Sequence, residues 1–303
     1  MGEKEKNIYP KVTVFIPTYN YARYLTETID SVLSQDFEDF ELIISDDCSS
    51  DNTAEICLRY VEQDSRIRFI RQDKNLGMVE NWNWCMEQAK GLFLKPMLAD
   101  DKFNRPYALS RMVDVMDSDP SLSLVTSARQ LIDTNSNPME VLGFGIKKNR
   151  VFAGKSVRSR CLLRDINLIG EPTAVLFRRA DSRRGFDTSY KQLVDLEMWL
   201  HLLMKGRVFY FSEPLCCFRR HELQQTEVNR HGGVRHHEFW TLYIYLEGWM
   251  MRHFLFKCCY RFRKRGLVSE HLEAACCTEL SGFKYICHYV VYKLINPVSK
   301  FWY

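Results

Sequence analysis

No run of about eighteen uncharged apolar residues, the length a helix needs to cross a bilayer, occurs in this sequence. The nearest approach, Phe239 to Tyr260, is interrupted by Glu247, Arg252 and Lys257. The leading residues, MGEKEKN, lack the apolar core of a secretion signal. Gly2 has no Ser or Thr where a myristoylation signal requires one. No G-x-G-x-x-G follows the first apolar run, which argues against a dinucleotide-binding dehydrogenase. Internal repeats and low-complexity tracts are absent too. A net charge of +4 is too slight to imply a nucleic-acid partner. Eleven cysteines are many, but none form the C-x-x-C pairs of a zinc site, and adjacent pairs such as Cys216-Cys217 rarely bridge each other. They read as reduced thiols in apolar surroundings, which points to a reducing, cytoplasmic location.

What is present is an alternation of strands and helices. Lys11 to Pro17 is a continuous β-branched and apolar run, the pattern of a strand buried on both faces. A helix is expected from about Tyr24 to Ser34, with Leu25, Ile29, Val32 and Leu33 at helical spacing. A second strand, Phe40 to Ser45, runs into Asp46-Asp47. Ser49, Ser50 and Asp51 offer caps for a helix reaching Gln63. Ile67 to Arg71 reads as a strand, Met78 to Ala89 as a helix closed by Gly91, and Leu92 to Leu98 as a strand running into Asp100-Asp101. This order predicts an α/β fold with a mostly parallel sheet. Ligands in such sheets bind beyond the strands' carboxyl ends, where both acidic pairs and the Tyr19-Asn20 turn would lie.

Past Asp101 the pattern loosens. Pro106 to Asp117 is expected as a helix, Ser123 to Leu131 as a strand and Asp133 to Arg150 as loop. Glu171 to Arg178 reads as a strand and Leu193 to Met204 as a helix. Val208 to Phe211 and Leu215 to Phe218 read as two further strands.

Adjacent carboxylates at a strand end repel one another unless a cation or a donor lies between them. Oxygen ligands of this kind suit Mg²⁺ or Mn²⁺, ions that also bind phosphate oxygens. Taken singly, Asp100-Asp101 reads equally as solvated surface, and Asp46-Asp47 as a helix cap. Asp195, with Glu197 nearby, is either a compensator of the helix dipole or a general base. Arg219, Arg220 and His221 read as one compact cationic group able to meet phosphate.

In order, VTVFIPTYNYARYLTETIDSVLSQDF, FELIISDDCSSDNT, NLG at Asn75 to Gly77, LADDKFNRP, Asp195 with Trp199, and FRRHELQQT resemble the family 2 glycosyltransferases. The resemblance covers about Lys11 to Thr226. It implies the Rossmann-like, glycosyltransferase A-type fold, with a catalytic domain over 1–227. A nucleotide-binding half would cover about 8–104 and an acceptor-binding half about 105–227. The resemblance implies an inverting transfer of sugar from a nucleotide-diphospho-sugar, a UDP- or dTDP-sugar, to a hydroxyl of a glycan or lipid-linked acceptor. Such a product would belong to a cell-surface polysaccharide or lipopolysaccharide. Pro17, Tyr19, Asp47, Asn75, Asp100 and Arg220 would bind the nucleotide-sugar. Asp100, Asp101 and His221 would hold Mn²⁺ or Mg²⁺, and Asp195 would be the base. Three positions depart from the family pattern. Leu98 stands where an acid is common, Cys48 where glycine is usual, and Val194 precedes Asp195 where Glu is common. A catalytically inactive relative that binds nucleotide-sugar or glycan remains the alternative.

From Val228 onward eleven Lys/Arg face five Asp/Glu, amid Trp240, Trp249, Phe254, Phe256 and Tyr260. Residues 228–303 are expected to be a helical, basic and aromatic extension. Either it lies peripherally on an anionic membrane at the inner face of the plasma membrane, or it packs as a subdomain or a homodimer interface.

Overall fold

Strand β1, Val12–Thr18, is buried along its whole length. It pairs in parallel with β2, Phe40–Asp46, on one side and with β4, Phe93–Pro96, on the other. Strand β3, Ile67–Arg71, adds in parallel to the far edge of β2. Helices α1 (Ala22–Leu33), α2 (Thr53–Gln63) and α3 (Met78–Gln88) make the crossovers. The chain thus moves outward from β1 through β2 to β3 and then returns to the opposite side of β1. That reversal opens a crevice at the carboxyl ends of β1 and β4, where open α/β sheets bind ligands.

The computed structural model describes residues 9–222, together with 224, 235, 238, 239, 241 and 242. The helical and membrane-facing reading of 228–303 falls almost wholly outside these residues. The chain as far as Phe239 forms one compact unit.

Among the described residues the second half completes a ten-stranded sheet, eight strands of which run in the order β3-β2-β1-β4-β9-β6-β10-β5, with β7 pairing beside β6 and β8 beside β10. It contains β5 (Lys102–Phe103), α4 (Ala108–Ser118), β6 (Leu122–Ile132), β7 (Pro138–Leu142), β8 (Arg150–Phe152), α5 (Gly154–Arg164), β9 (Val175–Arg178), α6 (Val194–Lys205) and β10 (Arg207–Arg219). Strand β9 runs antiparallel to both β4 and β6, while β10 runs parallel to β6. The sheet is therefore mixed: the first-half strands pair only in parallel with one another, while the second half combines parallel and antiparallel pairs.

Period-two alternation sorts the core. Val12, Val14 and Ile16 with Phe40, Leu42 and Ile44 face one cluster, shared with Leu25 and Ile29 of α1 and with Met112 and Met116 of α4. Phe15 and Ile43, at alternate positions, are equally buried. A chain of ring contacts joins Trp82 of α3, Phe186, Trp199 of α6 and Phe177 of β9.

Several local expectations are corrected. Residues 208–218 form one strand rather than two, because β10 carries its pairing with β6 through a register shift around Pro214. Residues 171–178 begin with a 3-10 turn, Pro172–Ala174, before β9 starts. The stretch expected as loop contains β7, whose exposed residues give no buried-strand pattern. Helix α5 was not expected at all. Gly91 does not cap α3; it lets the chain pass against β1, where a Cβ would stand 2.3 Å from the Thr13 amide nitrogen.

Candidate active site

Strand β2 ends in Asp46 and β4 ends at Pro96, so the turn Leu98–Asp101 hangs just past the sheet edge, closed by Asp101 N–H donating to the Leu98 carbonyl. Pro17 and Thr18 end β1 between them, paired with Ser45 and Asp46. Tyr19 follows, with about half its surface exposed, and Asn20 turns the chain at φ 59°. Asn20 Oδ1 accepts from Ser50 N–H, which ties the β1 turn to the β2 turn.

Asp47 is buried, and its carboxylate accepts from the amides of Leu76 at 2.6 Å and Gly77 at 2.9 Å. Asn75 returns a bond from its side-chain amide to the Asp47 carbonyl. Asp47 and Asn75 therefore lie together, as one clasp between the β2 and β3 loops. Asn83 serves a packing role, exchanging bonds with the Phe186 backbone.

The two acids of the β4 turn have different surroundings. Asp101 is fully buried and held on both oxygens, by Thr173 Oγ1 at 2.6 Å and by the Arg219 backbone N–H at 2.9 Å. Burial and the neighbouring Asp100 charge push its carboxyl well above the usual carboxylate range. Asp100 instead meets His221, with 2.9 Å between Oδ2 and Nε2. The rings of Tyr21 and Tyr24 pack on His221. Burial and the charges of Asp100 and Asp101 raise the Tyr21 phenol, which keeps it a neutral wall.

The triplet Arg219-Arg220-His221 does not form one cationic cluster. Strand alternation separates the two guanidinium groups. Arg219 is buried, donating to the carbonyls of Asp100 and Asp133 and pairing with Glu27 of α1. Arg220 points outward, its side chain half exposed and 3.7 Å from Glu140 of β7.

Asp195 opens α6, accepting from Asn167 Nδ2 at 2.9 Å. It is partly accessible, yet desolvation raises its carboxyl to about 7, with the Glu171 charge adding to the effect. Glu171 is paired with Arg129 at 2.6 Å. The same Glu171 charge also raises Asp101, so both acids lie within electrostatic reach of Glu171, the residue before the Pro172–Ala174 turn. Glu197, the neighbouring acid, is committed to Arg184 at 2.6 Å. Sequence reading missed Thr173, Glu171, Arg129 and Asn167, which lie far along the chain from the acids they act on and sit in no short motif. Arg219 was visible in the FRRHE run, but its buried partners were not.

Residues 13–185 match the family model for glycosyl transferase family 2. The chain belongs to glycosyl transferase family 2. This family member is 25% identical over 241 residues to TuaG of Bacillus subtilis, described as a putative teichuronic acid biosynthesis glycosyltransferase; the match covers 80% of this chain and 90% of TuaG. Its fold is similar to that of S. aureus TarS 1-349 in complex with UDP-GlcNAc, with a TM-score of 0.60 at 23% identity. That likeness covers 71% of this chain and 60% of the TarS chain. The mannosyltransferase PcManGT from Pyrobaculum calidifontis, in complex with GDP-Man and Mn2+, has a TM-score of 0.56 at 16% identity, over 97% of this chain and 83% of that one. These likenesses establish the glycosyltransferase A-type fold, and family membership establishes a role in glycosyl transfer.

Among the described residues no three His, Cys, Asp or Glu side chains converge as a metal cage. Asp100 and His221 nonetheless present an oxygen and a nitrogen 2.9 Å apart. Neighbouring ligands of an octahedral ion with bonds of about 2.1 Å stand at about 3.0 Å, and such ions habitually take their remaining ligands from phosphate and water. The pair fits a Mg²⁺ or Mn²⁺ that is shared with a diphosphate.

Proposed function

We propose that the protein is an inverting, metal-dependent glycosyltransferase that uses a nucleotide-diphospho-sugar and Asp195 as its base. The observation that carries this reading is the presence of two unlike acidic poles, at Asp100 and at Asp195. At one pole Asp100 faces His221, able to serve a cation and diphosphate. At the other a partly accessible carboxyl, raised to about 7, is suited to take a proton near neutral pH.

The chain divides accordingly. Residues of about 8–104 supply the nucleotide side, with Pro17, Tyr19, Asp47 and Asn75 lining the base and ribose. Residues 105–227 supply the acceptor wall. Asp100 and His221 are the groups that would hold the divalent ion, which when bound offsets the negative charge of the diphosphate. Asp101, engaged on both oxygens, anchors the turn rather than ligating. Arg220, at the rim, is available to the donor only if it leaves Glu140. In the transfer, an acceptor hydroxyl oxygen bonds to the anomeric carbon as the carbon's bond to the diphosphate oxygen breaks. Asp195 takes the hydroxyl proton and the nucleoside diphosphate departs with the bonding electrons. Attack opposite the leaving group inverts the anomeric centre.

A UDP- or dTDP-sugar is the donor by family resemblance. UDP-GlcNAc in the TarS structure and GDP-Man in the PcManGT structure set the competing choices. TuaG's described role in teichuronic acid synthesis favours a cell-surface glycan or its lipid-linked precursor as acceptor, with the protein working on the cytoplasmic side.

Calorimetric titration of UDP, dTDP and GDP, with and without Mn²⁺, into wild type and Asp100→Ala tests the donor pole. One nucleotide is expected to bind in a metal-dependent way that Asp100→Ala abolishes. Failure of all three nucleotides to bind in either condition would overturn this reading.

A further inference from the structure

Between Val141 and Arg164 the chain carries seven Lys/Arg and no Asp or Glu. Most of that charge reaches the surface. Lys147, Lys148 and Arg150 lie exposed before and at the start of β8, and Lys155, Arg160 and Arg164 lie exposed on α5. None of these six forms an ion pair within the described residues, although Arg150 rests over the Phe152 ring. The next acid, Asp165, does not offset them, because Arg235 already pairs with it at 2.8 Å.

Helix α5 is amphipathic in an unusual sense. Gly154, Val157, Cys161 and Leu162 face inward. At 100° per residue the opposite face is centred on Leu163, with Lys155, Arg160 and Arg164 around it. Leu163 is 60% exposed, and Ile166, just past the helix, is 37% exposed. An isolated exposed leucine means little. An exposed leucine flanked by unpaired cations on one helix face gives a basic surface with an apolar side chain at its centre, which suits an anionic lipid headgroup layer. A soluble polyanion would satisfy the cations but leave these apolar side chains in water.

The placement of α5 relates this face to the site. The helix runs antiparallel to α6, since a Cβ at Gly154 would stand 2.2 Å from the carbonyls of Leu203 and Gly206. Its carboxyl end therefore lies beside the start of α6, and Asn167, three residues past Arg164, bonds Asp195. We propose that the α5 face and residues 147–150 dock the protein on an anionic lipid bilayer, with the acceptor side of the site at the membrane surface. This rests on surface charge and helix geometry, not on the assignment of the donor or the base, so it can fail while the catalytic reading stands.

The test is flotation of the full chain with vesicles of phosphatidylcholine, with and without phosphatidylglycerol. Lys155→Glu/Arg160→Glu/Arg164→Glu is compared with Arg59→Glu/Lys90→Glu/Arg183→Glu, which changes net charge equally at exposed positions elsewhere. Each basic residue near an anionic membrane contributes about fivefold to partitioning. The α5 triple is thus expected to weaken phosphatidylglycerol-dependent binding by roughly a hundredfold, and the control by under about threefold. Leu163→Ser is expected to weaken it by about threefold, an effect no loss of charge explains. Equal losses in the two triples would overturn the proposal, as would absence of wild-type binding to the anionic vesicles. Binding of soluble heparin through this face without vesicle binding would overturn it in favour of a polyanionic partner.

Discussion

The pole around Asp100 and the pole around Asp195 are both acidic, yet their neighbours differ. Asp100 has an imidazole 2.9 Å away and, beneath it, an arginine bonded to its own carbonyl. Asp195 has a neutral amide partner and the Glu171 charge close by. A carboxyl that is desolvated near another acid binds a proton more tightly than usual, which makes its carboxylate form a stronger base. Under the proposed function, two identical side chains would take the roles of holder and base from their neighbours.

Breaking the second pole has the largest expected effect. Asp195→Asn keeps the bulk but removes the proton acceptor, and a general base is worth roughly 10²–10⁴ in rate. Sugar transfer is expected to fall by about that factor, with nucleotide binding by calorimetry unchanged. Next comes the first pole. Asp100→Asn is expected to lower turnover by about 10²-fold, as loss of an electrostatic stabiliser of the leaving group does, and to abolish the metal dependence of nucleotide binding. Equal metal dependence in wild type and variant would erase the distinction between the poles.

The pH profile sharpens the comparison. Asp195 must be ionised to act, so kcat/KM is expected to fall about tenfold per pH unit below about 7 and to level off above it. The stability linkage has the opposite sense. The folded-state pKa is raised above the unfolded value, so the contribution is full below about 4 and is lost as pH rises towards 7. Asp195→Asn is therefore expected to melt higher than wild type at pH 8 and no higher at pH 4, whatever it does to activity.

Smaller effects probe the frame. Thr173→Val removes the hydroxyl that donates to Asp101 and accepts from Leu98 N–H, and is expected to cost about 1–3 kcal/mol in chemical denaturation. Cys48 sits at φ 66°, the left-handed region that glycine enters freely. Cys48→Gly is expected to gain up to about 1 kcal/mol of stability, with sugar transfer unchanged. That accounts physically for glycine being usual there in the family.

The first four strands could be read from the sequence because a strand buried on both faces must be apolar throughout, and the helices between them must show one apolar stripe. The reading failed where those rules lapse. Strand β7 is exposed, and β10 changes register at Pro214 without ending. Helix α5 carries so many cations that its buried positions are masked. At the site, both acidic pairs, Asn75, Asp195 and His221 were visible as motif residues, and the structure brings Asp100 to His221 and Asp47 to Asn75. The split of Arg219 from Arg220 was not visible, since it depends on which face of β10 turns inward.

Sequence alone determined the family, the run of parallel strands and the presence of acids at their ends, because apolar periodicity and short motifs are local properties of the chain. Tertiary structure alone decided which partners each acid meets. Thr173 lies 72 residues from Asp101, and Arg219 lies 118 residues from it. The charge state of a carboxyl depends on what folding packs around it, and no local pattern records partners so distant.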